Sequence, residues 1–220
     1  NNYSCNSTIK RVNCQVDMIQ EYGIDIWQFP ESDKETVVPE VLSGYVGIPA
    51  EKIEISSGQF VKPALLNSAA PANFHFNISH SAGIGILAVS GMPVGIDIEE
   101  IRDVHNLNAV IELACTPEEQ RILSGLNENA RPRLFFELWA RKEACVKMLG
   151  EDILPSAGQY QCIAEDAENP GGGIFLDMFW QDGDCFFLHE PLQLDGFTAA
   201  CCIPVEHAVF QLFSYRGFTP

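Results

Sequence analysis

Two stretches of this chain hold side chains that could do chemistry together. In Val94-Gly95-Ile96-Asp97-Ile98-Glu99, strand alternation sends Val94, Ile96 and Ile98 to one face and Gly95, Asp97 and Glu99 to the other. Two carboxylates then point the same way, beside a glycine that permits close approach, and such a pair suits a hard, oxygen-loving cation such as magnesium. Taken alone, the pair also reads as a strand end running into a solvated acidic turn with Glu100. In Trp139-Ala140-Arg141-Lys142-Glu143-Ala144-Cys145-Val146-Lys147, residues Trp139, Glu143 and Lys147 follow one another at helical spacing. One helix face thus carries an indole, a carboxylate and an ammonium, although an exposed helix with an ordinary ion pair and a half-buried Trp anchor has the same pattern. Lys142 points about 140° away from Lys147 at ~100° per residue, which leaves it a supporting role.

The two stretches taken together, about forty residues apart, resemble the two signature motifs of the 4'-phosphopantetheinyl transferase superfamily. Upstream, Phe76-Asn77-Ile78-Ser79-His80-Ser81 and Lys62-Pro63 resemble two further motifs of its Sfp-type branch, in the same order, so that the resemblance covers residues 40 to 203. It implies two similar α+β halves in one chain, a pseudo-dimeric arrangement with coenzyme A and Mg2+ in the cleft between them. It further implies that Asp97, Glu99 and Glu143 hold magnesium, that Lys147 contacts the pyrophosphate, and that Lys62, Ser79, His80 and Lys142 help hold the nucleotide. The implied reaction moves 4'-phosphopantetheine from coenzyme A to a serine of an apo acyl or peptidyl carrier protein, releasing 3',5'-ADP. Glu143 is the candidate base for the serine hydroxyl, with Glu99 ranked behind it.

The chain departs from that branch in one respect. A cluster of basic residues usually precedes the Lys-Pro pair and grips the 3'-phosphate of coenzyme A, yet here Lys34 is the only basic residue between Arg11 and Lys52. Val61 also stands where a glycine commonly precedes Lys62. Either Lys10 and Arg11 fold into the site or 3'-phosphate recognition is weak. Two alternatives stay open on these residues: a carrier-protein-binding or regulatory module, and a magnesium enzyme acting on another pyrophosphate compound. Arg121, Arg131 and Arg133 are candidates for a carrier-protein patch, or else solvated charges at helix ends.

These residues need a scaffold of strands and helices. The first thirty residues show no clear periodicity, and residues 30–34 read as a solvated connection. A helix is expected over 39–47, a strand through Ile53 and Ile55, and strands over 74–81, 82–90 and from 94 onward. Thr116-Pro117-Glu118-Glu119 carries the signature of a capped helix start, and apolar spacing predicts a long helix from Arg133 to Leu149, stopped by Gly150. Glycine-containing turns at 171–173, 182–184 and 195–196 separate the remaining apolar runs into antiparallel strands. The whole reads as α+β, divided into halves 1–92 and 93–220.

Bulk properties fit an ordinary globular chain. Its 220 residues are 46% hydrophobic, and the net charge of -17 disfavours nucleic acid and anionic membranes as partners. No apolar run is long enough to span a bilayer and no secretory leader is read, so a cytoplasmic monomer is expected. Eight cysteines without a CxxC pair suit reduced, mostly buried thiols better than zinc or disulfides. Asn6-Ser7-Thr8 and Asn77-Ile78-Ser79 match the glycosylation pattern, which carries no meaning in a cytoplasmic chain.

Overall fold

In the computed structural model, residues 22–56, 62–66, 71, 73–151, 157–168 and 172–220 are described. Two four-stranded sheets lie face to face, with a helix packed on the outer side of each. The first sheet has the order β10-β1-β3-β2, built from β1 (Gly23–Pro30), β2 (His75–Ser81), β3 (Ile84–Ser90) and β10 (Val209–Ser214). The second has the order β4-β9-β8-β7, from β4 (Gly95–Glu100), β7 (Met178–Gln181), β8 (Asp184–His189) and β9 (Phe197–Ile203). A small hairpin of β5 (Ile163–Glu165) and β6 (Gly173–Phe175) stands apart. The α+β class expected from the sequence is the class found.

Three apolar layers follow from side-chain alternation. Ile24 and Ile26 of β1 and Ile84, Ile86 and Ala88 of β3 meet Ile96, Ile98, Ala199, Cys201 and Ile203 between the sheets. Leu87 and Val89, on the opposite face of β3, meet Val37, Val38, Val41 and Leu42 of helix α1 (Lys34–Val46). Covered on both faces, all seven residues of β3 are buried. Beneath the second sheet, the helices α2 (Leu107–Ala114), α3 (Pro117–Gly125) and α4 (Arg131–Leu149) pack with Ala200 and Cys202. β4 therefore shows Ile96 and Ile98 to the first sheet, leaving Asp97 and Glu99 on the face that meets α4.

Several boundaries differ from those expected. β1 lies in a region that showed no clear periodicity, although Ile24 and Ile26 do alternate with Asp25 and Trp27. α1 begins a turn before Pro39, because burial of Val37 and Val38 outweighs the cost of a proline inside the helix. Ile55 makes only an isolated bridge to Leu65, and α2 was not anticipated. β10 runs parallel to β1, so residues 209–214 complete the sheet of the first half, and a division at 92/93 does not separate the two sheets. The capping box of α3 forms as read, with the Thr116 hydroxyl accepting the Glu119 N–H and the Glu119 carboxylate accepting the Thr116 N–H. Gly150 closes α4 with a left-handed φ of 75°. The turn at Gly171 lies outside the described residues, whereas Asp182 and Gly183, both at positive φ, join β7 to β8.

Candidate metal centre

β4 and α4 approach so closely at Gly95 that a Cβ there would lie 2.0 Å from the Ala144 carbonyl oxygen and 2.4 Å from the Met148 nitrogen. This contact brings the outward-facing carboxylates of β4 against the acidic and basic face of α4. Ligand oxygens of Asp97, Glu99 and Glu143 all fall within 4.8 Å of one another. The Lys147 ammonium lies 2.6 Å from Asp97 Oδ1 and 3.1 Å from Glu143 Oε2. Asp97 is almost fully buried, and its Oδ2 has no hydrogen-bond partner among the described residues. A buried carboxylate oxygen without a donor, in a set of three carboxylates, fits a hard divalent cation and leaves an energetic cost without one.

The electrostatics point the same way. Burial, aided by the charge of Asp97, pushes the Glu99 carboxyl up to about 7, against hydrogen bonds from Ser81 and Trp139 and the attraction of Lys147. The same two causes raise the Glu143 carboxyl. Burial pulls the Lys147 ammonium down, but Asp97 and Glu143 outweigh it and hold Lys147 above its ordinary value. One ammonium thus sits among three crowded carboxylates, two of which resist ionisation.

The first sheet reaches the cluster through β2. Asn77 Oδ1 accepts the Ile96 N–H (2.8 Å), Ser79 Oγ accepts that of Ile98 (3.4 Å), and Ser81 Oγ accepts that of Glu100 (3.0 Å). The Ser79 hydroxyl donates to Asp97 Oδ1 at 2.6 Å, and Lys147 donates to Ser79 Oγ at 3.1 Å. Ser81 donates to Glu99 Oε2 at 3.3 Å, and the Trp139 indole N–H donates to Glu99 Oε1 at 3.2 Å. Asn77 and Ser81 were not singled out from the sequence. Their signal was short polar residues recurring with period two along β2, in alternation with Phe76 and Ile78. Buried Asn77 also leaves its formal glycosylation pattern without an accessible amide.

The structure thus brings Asp97, Glu99, Glu143, Lys147 and Ser79 together, and three further candidates have other partners. Lys62 donates to the carbonyls of Val94 (2.9 Å) and Met148 (3.3 Å), tying the entry of β4 to the end of α4, and burial lowers its ammonium to about 8. His80 Nδ1 lies 2.8 Å from Glu31, with the imidazole about half exposed. Lys142 is fully buried on another face of α4, 2.7 Å from Glu119, and also donates to the carbonyls of Ala157 and Tyr160. Its assignment as a nucleotide contact is corrected on this geometry: the ammonium is enclosed beneath the helix, as the 140° separation from Lys147 requires.

The arginines considered for a carrier patch are also engaged. Arg131 donates to the carbonyls of Leu123 and Leu126 at the end of α3, Arg133 pairs with Glu137 at 3.0 Å, and exposed Arg121 lies 3.7 Å from Glu165. Lys10, Arg11 and Val61 lie outside the described residues, as do Cys5 and Cys14 and the Asn6 pattern. Of the six described cysteines, all are free thiols and five are buried. No helix among the described residues is long and apolar enough to cross a membrane.

Residues 93–202, half of the chain, match the sequence profile of the 4'-phosphopantetheinyl transferase superfamily. The match takes in β4, α4 and every carboxylate of the cluster, and the chain belongs to this superfamily. Among curated relatives it is 27% identical over 181 residues to the 4'-phosphopantetheinyl transferase gsp of Aneurinibacillus migulanus, covering 76% of this chain and 65% of that protein. It is 32% identical over 135 residues to 4'-phosphopantetheinyl transferase psf-1 of Bacillus pumilus (61% and 56%). With 4'-phosphopantetheinyl transferase HetI of Nostoc sp. it shares 29% identity over 118 residues (53% and 50%). The chain thus spans about half to two thirds of the length of these relatives.

Proposed function

We infer that this protein transfers 4'-phosphopantetheine from coenzyme A to a serine of an apo acyl or peptidyl carrier protein, releasing 3',5'-ADP. The observation that carries this reading is the convergence of Asp97, Glu99, Glu143 and Lys147 at the junction of β4 and α4, in a chain of this superfamily. Two sheets, each backed by one long helix, also fit the pseudo-dimeric arrangement that the motifs imply.

Asp97, Glu99 and Glu143 would hold magnesium, which when bound neutralises charge on the pyrophosphate and on the departing ADP. Lys147 stands beside the same carboxylates, where its ammonium can stabilise negative charge on the leaving group. Glu143, whose carboxyl is raised by burial and by Asp97, takes the serine proton directly or through a water. The serine Oγ forms a bond to the β-phosphorus, the phosphorus–oxygen bond to ADP breaks, and its electron pair leaves with ADP. Ser79 lies close enough to Lys147 to share in phosphate binding. His80 is the further candidate for the nucleotide end, turned toward Glu31.

The test is the intact mass of an apo acyl carrier protein incubated with this protein and coenzyme A, with magnesium, with chelator, and with Glu143→Gln. A gain of one phosphopantetheine, lost in the second and third arms, supports the reading. No gain on several carrier proteins, with no thermal protection of the fold by coenzyme A, would overturn it in favour of a binding module.

A further inference from the structure

Among the described residues, β4 has a backbone partner on one edge only, strand β9. On its other edge the N–H groups of Ile96, Ile98 and Glu100 are taken by side chains of β2: Asn77, Ser79 and Ser81. Each contact spans 19 residues of sequence, so the two strands run in step, and a ladder of side chains replaces the missing backbone ladder. Two rungs have a second task. Ser79 donates to Asp97 and Ser81 to Glu99, so each hydroxyl grips both a carboxylate and the backbone N–H that follows it. Ser79 already touches Lys147 within the cluster. Ser81 and Trp139 touch only Glu99 there, one on each of its oxygens, from opposite sides of the seam.

A carboxylate with one oxygen tied to the first sheet and the other to α4 has lost the rotation about its terminal bond. Partners of this kind set the orientation and affinity of a metal site nearly as much as the ligands do. We propose that Ser81 and Trp139 are positioning residues, which fix the Glu99 carboxylate so that a strand of the first sheet sets the cation affinity of a cluster built on the second. The inference rests on the metal reading given above.

Mn2+ titration of the full chain, followed by calorimetry or water-proton relaxation, tests it without recourse to turnover. Ser81→Ala deletes one tether. Trp139→Phe deletes the other while keeping a ring to pack on Phe135, 6.1 Å away between centroids. Each should weaken Mn2+ binding by about tenfold to a hundredfold, and Ser81→Thr, which restores a hydroxyl, should recover most of the loss. Ser90→Ala is the control. Its fully buried hydroxyl donates to the Gly23 carbonyl at the far end of the same sheet, so its loss should lower the melting temperature and leave Mn2+ affinity unchanged. If Ser81→Ala does not fold, judged by near-ultraviolet circular dichroism, Trp139→Phe carries the test. A wild type that binds no Mn2+ would overturn the metal reading and this inference with it. A wild type that binds, alongside folded variants that bind equally well, would overturn this inference alone.

Discussion

The Lys142 ammonium lies 2.7 Å from a carboxylate oxygen of Glu119, and neither side chain has any exposed surface. Glu119 also accepts the N–H of Thr116 through Oε2 and that of Cys162 through Oε1, while Lys142 reaches the carbonyls of Ala157 and Tyr160. The pair therefore joins α3, α4 and the strand entering β5. Removing one partner strands a buried charge, and Lys142→Met or Glu119→Gln should each cost about 3–5 kcal/mol of stability. Urea unfolding checks this. Mn2+ affinity of the folded fraction should stay at the wild-type value, because neither residue touches the cluster, and its loss in Lys142→Met would return Lys142 to the site.

Gly95 offers a second, purely steric prediction. A methyl group there would overlap both the Ala144 carbonyl oxygen (2.0 Å) and the Met148 nitrogen (2.4 Å), which are backbone atoms that cannot rotate aside. Gly95→Ala should push α4 off β4, cost at least about 1–3 kcal/mol as an overpacked core does, and separate Glu143 from Asp97. Loss of Mg2+-dependent thermal protection beyond the loss of stability is the expected signature. An alanine variant with wild-type protection would show that the two elements are not so tightly apposed.

The sequence made the site more legible than the frame around it. Alternation alone placed Asp97 and Glu99 on one face of β4, helical spacing aligned Trp139, Glu143 and Lys147, and Gly95 signalled close approach. Each of these relations is local, set by strand or helix period. What escaped were the long-range partners. Ser81 meets Glu100 only because β2 and β4 are neighbouring sheet edges, and Lys142 meets Glu119 only because α3 folds back on α4. The capping box marked Glu119 correctly as a helix-start residue, but nothing local announced that its carboxylate would also receive an ammonium. β10 joins β1 from the far end of the chain for the same reason, since strand pairing depends on topology that periodicity does not encode.

Glu143 should be costly to the fold whenever no cation is bound. Burial and the charge of Asp97 both oppose its ionisation, with Lys147 at 3.1 Å as a partial offset. In chelator near pH 8, Glu143→Gln should melt at or above the wild-type temperature, because an amide of the same shape removes the repulsion. The same substitution should abolish thermal protection by Mg2+ and, if Glu143 is the base, lower transfer by about 10²–10⁴-fold. A variant that melts well below wild type in chelator would show instead that the Glu143–Lys147 pair stabilises the fold.

The Glu99 carboxyl gives the cluster a pH dependence of definite sign. Burial and Asp97 raise it from 4.5 to about 7, so between those values the folded chain holds a proton that the unfolded chain has released. By linkage, its contribution to stability in chelator is most favourable at the acid end of this window and declines as pH rises to about 7, then levels off. A divalent ion needs the ionised form, so Mg2+ must displace that proton at low pH and finds the carboxylate ready at high pH. The gap between melting temperatures with Mg2+ and with chelator should therefore widen by several degrees, on the order of 3–6 °C, from about pH 5.5 to pH 8. Because burial and Asp97 raise the Glu143 carboxyl as well, a gap that stays constant over this range would count against both Glu99 and Glu143 as ligands.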